Sequence, residues 1–177
     1  MDFNQYTNKA REALLRAQTN ANDLGHSSVE PIHILGALVG QKDGVVPQVI
    51  SKIGARPAAL LSEIEDQVTN RPRAYGSNVK ATLNRAALDV LTQAEREAEK
   101  MKDEYVSTEH LLIALADDKS VSVILQRAGV TRDAIFDALP FVLIERSVVQ
   151  GHDSRPFRLG FKDRLIPPFG MRPGVSK

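Results

Sequence analysis

The strongest constraint on this chain is a stretch that it contains twice. Glu30-Pro31-Ile32-His33-Ile34-Leu35-Gly36-Ala37-Leu38 returns without a gap as Ser107-Thr108-Glu109-His110-Leu111-Leu112-Ile113-Ala114-Leu115. His33 falls on His110, Leu35 on Leu112, and Ala37 and Leu38 on Ala114 and Leu115, each 77 positions apart. Both copies open like helices. Pro31 sits at a first helical position, where its missing N–H costs nothing, and Thr108 matches it. Ser107 stands where an N-cap belongs, its hydroxyl available to a backbone N–H of the first turn.

The flanking sequence repeats with it. Tyr6, Ala10, Leu14, Ala17, Ala21 and Leu24 recur at three- and four-residue steps, an amphipathic helix that Asp2, Asn4 or Thr7 could cap and Gly25 ends. Ala87, Leu91, Ala94 and Ala98 stand 77 positions after Ala10, Leu14, Ala17 and Ala21, in a long helix drawn from Leu83 to Met101. A third helix, Val45 to Ile53, stops at Gly54, and its partner, Val121 to Ala128, stops at Gly129. A fourth begins at Pro57 with Leu60, Leu61, Ile64 and Val68, and the matching one runs from Arg132 to Leu139 behind Thr131. Residues 1–139 offer no period-two run rich in Val, Ile and Thr, so no strand-rich fold is expected.

The expected architecture is therefore all-α, a tandem repeat of two four-helix units packed with pseudo-twofold symmetry. Repeat one covers 3–69, a breaker-rich connector 70–79, and repeat two 80–139. Neither unit is large enough to be comfortable alone, so each should bury its apolar face against the other and leave a groove at the seam. Residues 140–177 differ in kind. They carry seven basic and three acidic residues, +4, which leaves −3 of the chain's net +1 for 1–139. We expect this segment to be a poorly ordered tail, its apolar run Phe141–Val149 forming one strand or docking on the repeats.

Composition closes several routes. There is no cysteine, hence no disulfide framework and no thiolate chemistry. The start, Met-Asp-Phe-Asn-Gln-Tyr, lacks a secretory pattern, and no apolar run approaches the length of a membrane span, so a cytoplasmic protein is expected. A net charge of +1 argues for no nucleic-acid partner. No cofactor is called for, because Gly-x-x-x-x-Gly-Lys-Ser/Thr is missing. His33, His110 and the nearby His26 lack the i, i+4 spacing of a helical metal site, so each repeated histidine reads as closing its helix's first turn. Asp103, Glu104 and Glu109 have no nucleophile beside them and make a poor acid/base pair. The charged stretch from Glu95 to Lys102 reads as a solvated helix face.

A doubled helix opening Val-x-x-x-His-(Ile/Leu)-Leu-x-Ala-Leu, at Val29 and Val106, resembles the Clp N-terminal repeat domain, over about residues 3–139. Thr7-Asn8-Lys9, Leu24-Gly25-His26 and the Arg-Pro connector look most like the branch of the ClpB-type AAA+ disaggregases. The resemblance implies a non-catalytic binding module that engages unfolded or aggregated proteins, or adaptors, in an inter-repeat groove. It also implies ATPase domains of a Clp unfoldase as partners if the chain is part of a longer one, and a monomer in isolation. The positions matching the family's substrate-binding polar residues are Thr7, Asp103 and Glu109. Apolar groove positions of some relatives fall on Gln93, Glu97 and His110, all polar here. The alternative is a free-standing adaptor that docks one folded partner through its tail.

Overall fold

The computed structural model describes residues 2–74 and 80–150. A 3₁₀ turn, Phe3–Gln5, leads to α1 (Asn8–Asp23); β1 (Ser28–Val29) leads to α2 (Pro31–Val39), then α3 (Val45–Ile53) and α4 (Pro57–Thr69). The second half repeats the order as β2 (Thr82–Leu83), α5 (Arg85–Met101), α6 (Thr108–Asp117), α7 (Ser122–Arg127) and α8 (Arg132–Gln150). The all-α tandem repeat is thus the observed fold. Of the three candidate caps, Thr7 holds α1, its Oγ1 accepting the Ala10 N–H, while Asp2 caps the 3₁₀ turn. Asn84, 77 positions after Thr7, caps α5 in the same way at the Ala87 N–H.

At the centre lie the two copies of the repeated stretch. In α2 and α6 every residue from Ile32 to Leu35 and from His110 to Leu115 is buried. A helix apolar on all sides has to be covered on all sides. Each is packed within its own repeat by the long helix before it, α1 or α5, and α2 and α6 also touch each other across the seam.

Two short parallel ladders join the repeats. Val29 pairs with Leu83 and Ser28 with Thr82, while Tyr6 pairs with Val106. The Thr7 N–H donates to Val106 O at 2.9 Å and the Val106 N–H to Gln5 O at 2.7 Å; the Asn84 N–H donates to Val29 O at 3.0 Å. Shifting Tyr6 and Val29 by 77 gives Leu83 and Val106, so the two ladders are copies of each other. The segment leading into the first helix of each repeat pairs with the segment leading into the second helix of the other. Leu83 accordingly belongs to a strand and not to the helix expected to begin there.

The expected end of repeat two at residue 139 falls inside a helix. α8 runs through Pro140, although the ring removes an N–H and in a helix interior costs about 3 kcal/mol. Packing on α3 explains the continuation. Val142 is buried, Leu143 lies against the core, Glu145 pairs with Lys52 at 3.2 Å, and Arg146 donates to Asp43 O at 2.7 Å. Of the two forms expected for Phe141–Val149, a strand is replaced by a docked helix. The rest of the expected tail, 151–177, lies outside the described residues.

The repeated histidines close the first turns of α2 and α6. Nδ1 of His33 accepts the Glu30 N–H and Nδ1 of His110 accepts the Ser107 N–H, each at 2.9 Å. Nε2 must then carry the proton in both rings. In repeat two it donates to Asp103 Oδ2 at 2.9 Å; in repeat one, 77 positions earlier, His26 Nδ1 takes it at 2.8 Å. His26 is 4% exposed, and its own Nε2 has no partner. Protonating either ring of this pair sets two donors face to face. Burial, the adjacent His26 and the Arg71 guanidinium bring His33 down to about 4, and burial lowers His26 as well.

Two measurements follow from these details. The unfolded chain takes up protons at histidine near pH 6.5, but the folded chain refuses one at His33 until about pH 4. Stability from this ring is complete above pH 6.5 and is lost as the pH falls toward 4, by about 2–3 kcal/mol. Urea titrations should show that slope, and His33→Gln, which can still accept the Glu30 N–H, should remove most of it. Separately, Lys102 ends α5 at φ +58°, in the left-handed region, where Gly25 ends α1 at φ +71°. Lys102→Gly is expected to stabilise the fold by about 0.5–1 kcal/mol, a rise in Tm of about 2 °C by calorimetry.

Candidate functional site

Thr7, Asp103 and Glu109 are gathered at one corner of the seam. Thr7 is half-buried, and its backbone bond to Val106 O fixes it against the loop between α5 and α6. That loop carries Asp103, whose side chain is exposed and whose Oδ2 is held by the His110 ring. Glu109 lies in the first turn of α6, where the helix dipole favours a carboxylate, and its Oε2 accepts a long 3.4 Å bond from Thr108 Oγ1. Among the described residues no direct hydrogen bond joins the three to one another. They form an acidic corner around a helix start, with Asp103 held in place by a buried neighbour.

Glu97 and His110 are buried, and Gln93 is half-buried. Glu97 is 1% exposed and takes hydrogen bonds from Gln93 Nε2 at 2.8 Å, Lys100 Nζ at 3.3 Å and Arg132 Nη2 at 2.8 Å. Arg132 Nη1 reaches Asp117 at 2.7 Å, and its guanidinium lies 5.1 Å from the centre of the Phe136 ring. Burial alone would raise the Glu97 pKa; the bonds from Arg132, Gln93 and Lys100 outweigh it and hold the group below the usual carboxylate range. A buried carboxylate this well matched is costly to orphan. Its charge ties α5 to the start of α8.

The stretch from Glu95 to Lys102 is therefore not simply a solvated face. Glu97 is interior, and Glu95 accepts the Tyr6 hydroxyl across the seam at 2.9 Å. Burial, then Glu95 itself, pushes the Tyr6 phenol above its ordinary range. Neither partner was readable from the helix alone, since Arg132 and Tyr6 are 35 and 89 residues away.

An apolar cleft of about 490 Å³ opens beside the β1–β2 ladder. Leu14 and Leu15 of α1, Val29 of β1, Leu83 of β2 and Phe3 form its walls, with Arg11, Gln18 and Thr82 at the edges. Leu15 is 65% exposed, a leucine left outside the Ala10–Leu14–Ala17 stripe, and that misplacement is the one sequence signal pointing to it. The cleft takes lining residues from both repeats, where the Val29 and Leu83 segments pair. Among the described residues no group of three or more His, Asp or Glu could hold a metal ion, and no helix is long and apolar enough to cross a membrane.

Comparison with known proteins agrees with this geometry. The Clp repeat (R) N-terminal domain family matches residues 5–136. The chaperone protein ClpB of Corynebacterium glutamicum is 38% identical over 138 residues, covering 77% of this chain, and that of Bacillus anthracis is 32% identical over 143 residues, covering 78%. The chain spans 16% of the length of either relative. The Hsp104 N-terminal domain from Candida albicans has the same fold, with a TM-score of 0.69 at 22% identity, over 80% of this chain and 91% of that one. Duplicated four-helix units, the repeated first-turn histidines and the matched sequence place this chain in the Clp repeat N-terminal domain family.

Proposed function

We propose that the chain is the polypeptide-receiving module of a ClpB-type chaperone, binding exposed apolar segments of unfolded or aggregated proteins, or of adaptors, without turnover. The seam cleft carries this reading. Leu14, Leu15, Leu83, Val29 and Phe3 offer an apolar trough of a size to take one or two side chains, open to solvent and flanked by few charges. Groove binding of this kind is weak and tolerant of sequence, as a first contact with many clients requires. Thr7, Asp103 and Glu109 supply a polar corner that can engage the backbone or basic side chains of the same segment. Glu97, tied down by Arg132, and His110, held by Ser107 and Asp103, are not offered to a client. The receiving surface proposed here is therefore the seam. In a longer chain the captured segment would pass from it to ATPase domains.

The test is a residue-resolved NMR titration of the labelled 177-residue protein with a permanently unfolded polypeptide. Shifts are expected at Leu15, Leu83 and Phe3, with Glu109 and Thr7 following. Leu15→Ser, at an exposed position, should weaken binding about tenfold, the worth of losing one leucine contact. Glu109→Ala should weaken it about threefold, as expected for a solvent-screened charge. Absence of shifts at the seam would overturn the reading, and shifts that vanish with removal of 151–177 would transfer it to a tail-directed adaptor.

A further inference from the structure

Repeat one has a second cleft, which shares no lining residue with the seam cleft. It opens between α1, α2 and α4 and measures about 410 Å³. Its wall is apolar, made by Ile32, Leu61, Ile64 and Val68. Gly36 forms part of the floor; a Cβ there would meet Ile64 Cγ2 at 3.2 Å. The charged residues that line it are Asp23 and Glu65, both exposed, and among the described residues neither has an ion-pair partner. His33 also lines it, but both ring nitrogens are engaged, by Glu30 and by His26. Arg71 pairs with Glu30, and the exposed Arg73 lies beside Gly25, outside the lining of the cleft.

The same place in repeat two is filled. Asn20, Asp23 and Gly36 correspond to Glu97, Lys100 and Ile113, 77 positions on, and Leu61 corresponds to Phe136, 75 on. There Glu97 is satisfied by Arg132 and Lys100, Ile113 is fully buried, and the Arg132 guanidinium covers the Phe136 ring. Two sites that began alike have diverged. One has become an internal ion pair, the other an open apolar cleft with an uncompensated acidic rim.

We propose that the repeat-one cleft is a second polypeptide-binding site, selective for an extended segment that sets an apolar side chain beside a lysine or arginine. The apolar residue enters between Ile32, Ile64 and Val68, while the cation is held by Asp23 and Glu65. Charge complementarity makes the choice of occupant, since the lining residues of the cleft include two carboxylates and no lysine or arginine. This site is separate from the seam and does not depend on the seam's role.

The probes are two blocked synthetic peptides, identical in their leucines, one bearing lysines and the other glutamates. Each is titrated into the labelled full chain at low ionic strength. The lysine peptide is expected to move the Gly36 amide and the Ile32 and Ile64 methyls, and to bind at least fivefold more tightly than the glutamate peptide. Asp23→Lys combined with Glu65→Lys, both at exposed positions, should reverse that preference. Equal binding of the two peptides, no shift at Gly36 and Ile64 up to millimolar peptide, or an unreversed preference in the double variant would overturn the proposal. So would movement of these resonances on removal of 151–177 with no peptide present, because the cleft would then hold the chain's own tail. Shifts at Leu15 and Leu83 report the seam alone, so either site can fail without the other.

Discussion

Two helices in this protein have no polar side, and most of the architecture answers to that. Burying a helix with Ile32 to Leu35 or Leu111 to Leu115 on its surface requires neighbours in every direction. A four-helix unit of this size has too few. The long helix before each one supplies one wall, the fourth helix another, and the opposite repeat completes the enclosure. Ends matter as much as walls in such a place, because an N-terminal N–H left bare in an apolar surrounding is expensive. A histidine ring at the third position supplies the missing acceptor from within the helix itself, and so the same residue recurs in both halves.

The group that takes the Nε2 proton of that ring is where the halves part. Repeat two gives His110 a carboxylate, which also leaves Asp103 facing solvent at a fixed angle. Repeat one gives His33 a second histidine, buried, with a nitrogen unsatisfied. The first arrangement ends in an exposed acid; the second joins two buried rings. A duplicated scaffold can thus keep its backbone while the two copies specialise, one toward an internal ion-pair network at Glu97 and the other toward an open cleft at Gly36.

Much of this was legible in the chain because helices announce themselves by period. The stripes at Ala10–Ala21 and Ala87–Ala98, Pro31 and Pro57 at helix starts, and Gly54 and Gly129 at φ +105° and +75° after helix ends all read locally. So did the first-turn role of His33 and His110. The crossing of lead-in segments did not, because a two-residue strand such as Ser28–Val29 is too short to show alternation. α8 was cut short for a different reason. Proline is a sound local stop signal, but the contacts of Val142, Leu143 and Glu145 with α3 are long-range and outweigh it. Of the site, Thr7, Asp103 and Glu109 came from family resemblance, whereas the seam cleft depends on Leu83 being a strand residue and could not be assembled before that was known.

The crossed ladders also set how the molecule comes apart. Tyr6 and Thr7 find their backbone partner in repeat two, and Asn84 finds its own in repeat one, so neither half holds a full complement of main-chain hydrogen bonds by itself. The arrangement is that of a two-fold dimer whose subunits have traded arms, with the connector at 70–79 converting an encounter between two molecules into one between tethered neighbours. Such a tether holds the halves at an effective concentration on the order of millimolar. Opening one repeat therefore strips the other of a strand, and the pair behaves as a single cooperative unit when heated or pulled. For a module proposed to sit at the mouth of an unfolding machine, that indivisibility is a defence against being unfolded in place of its client.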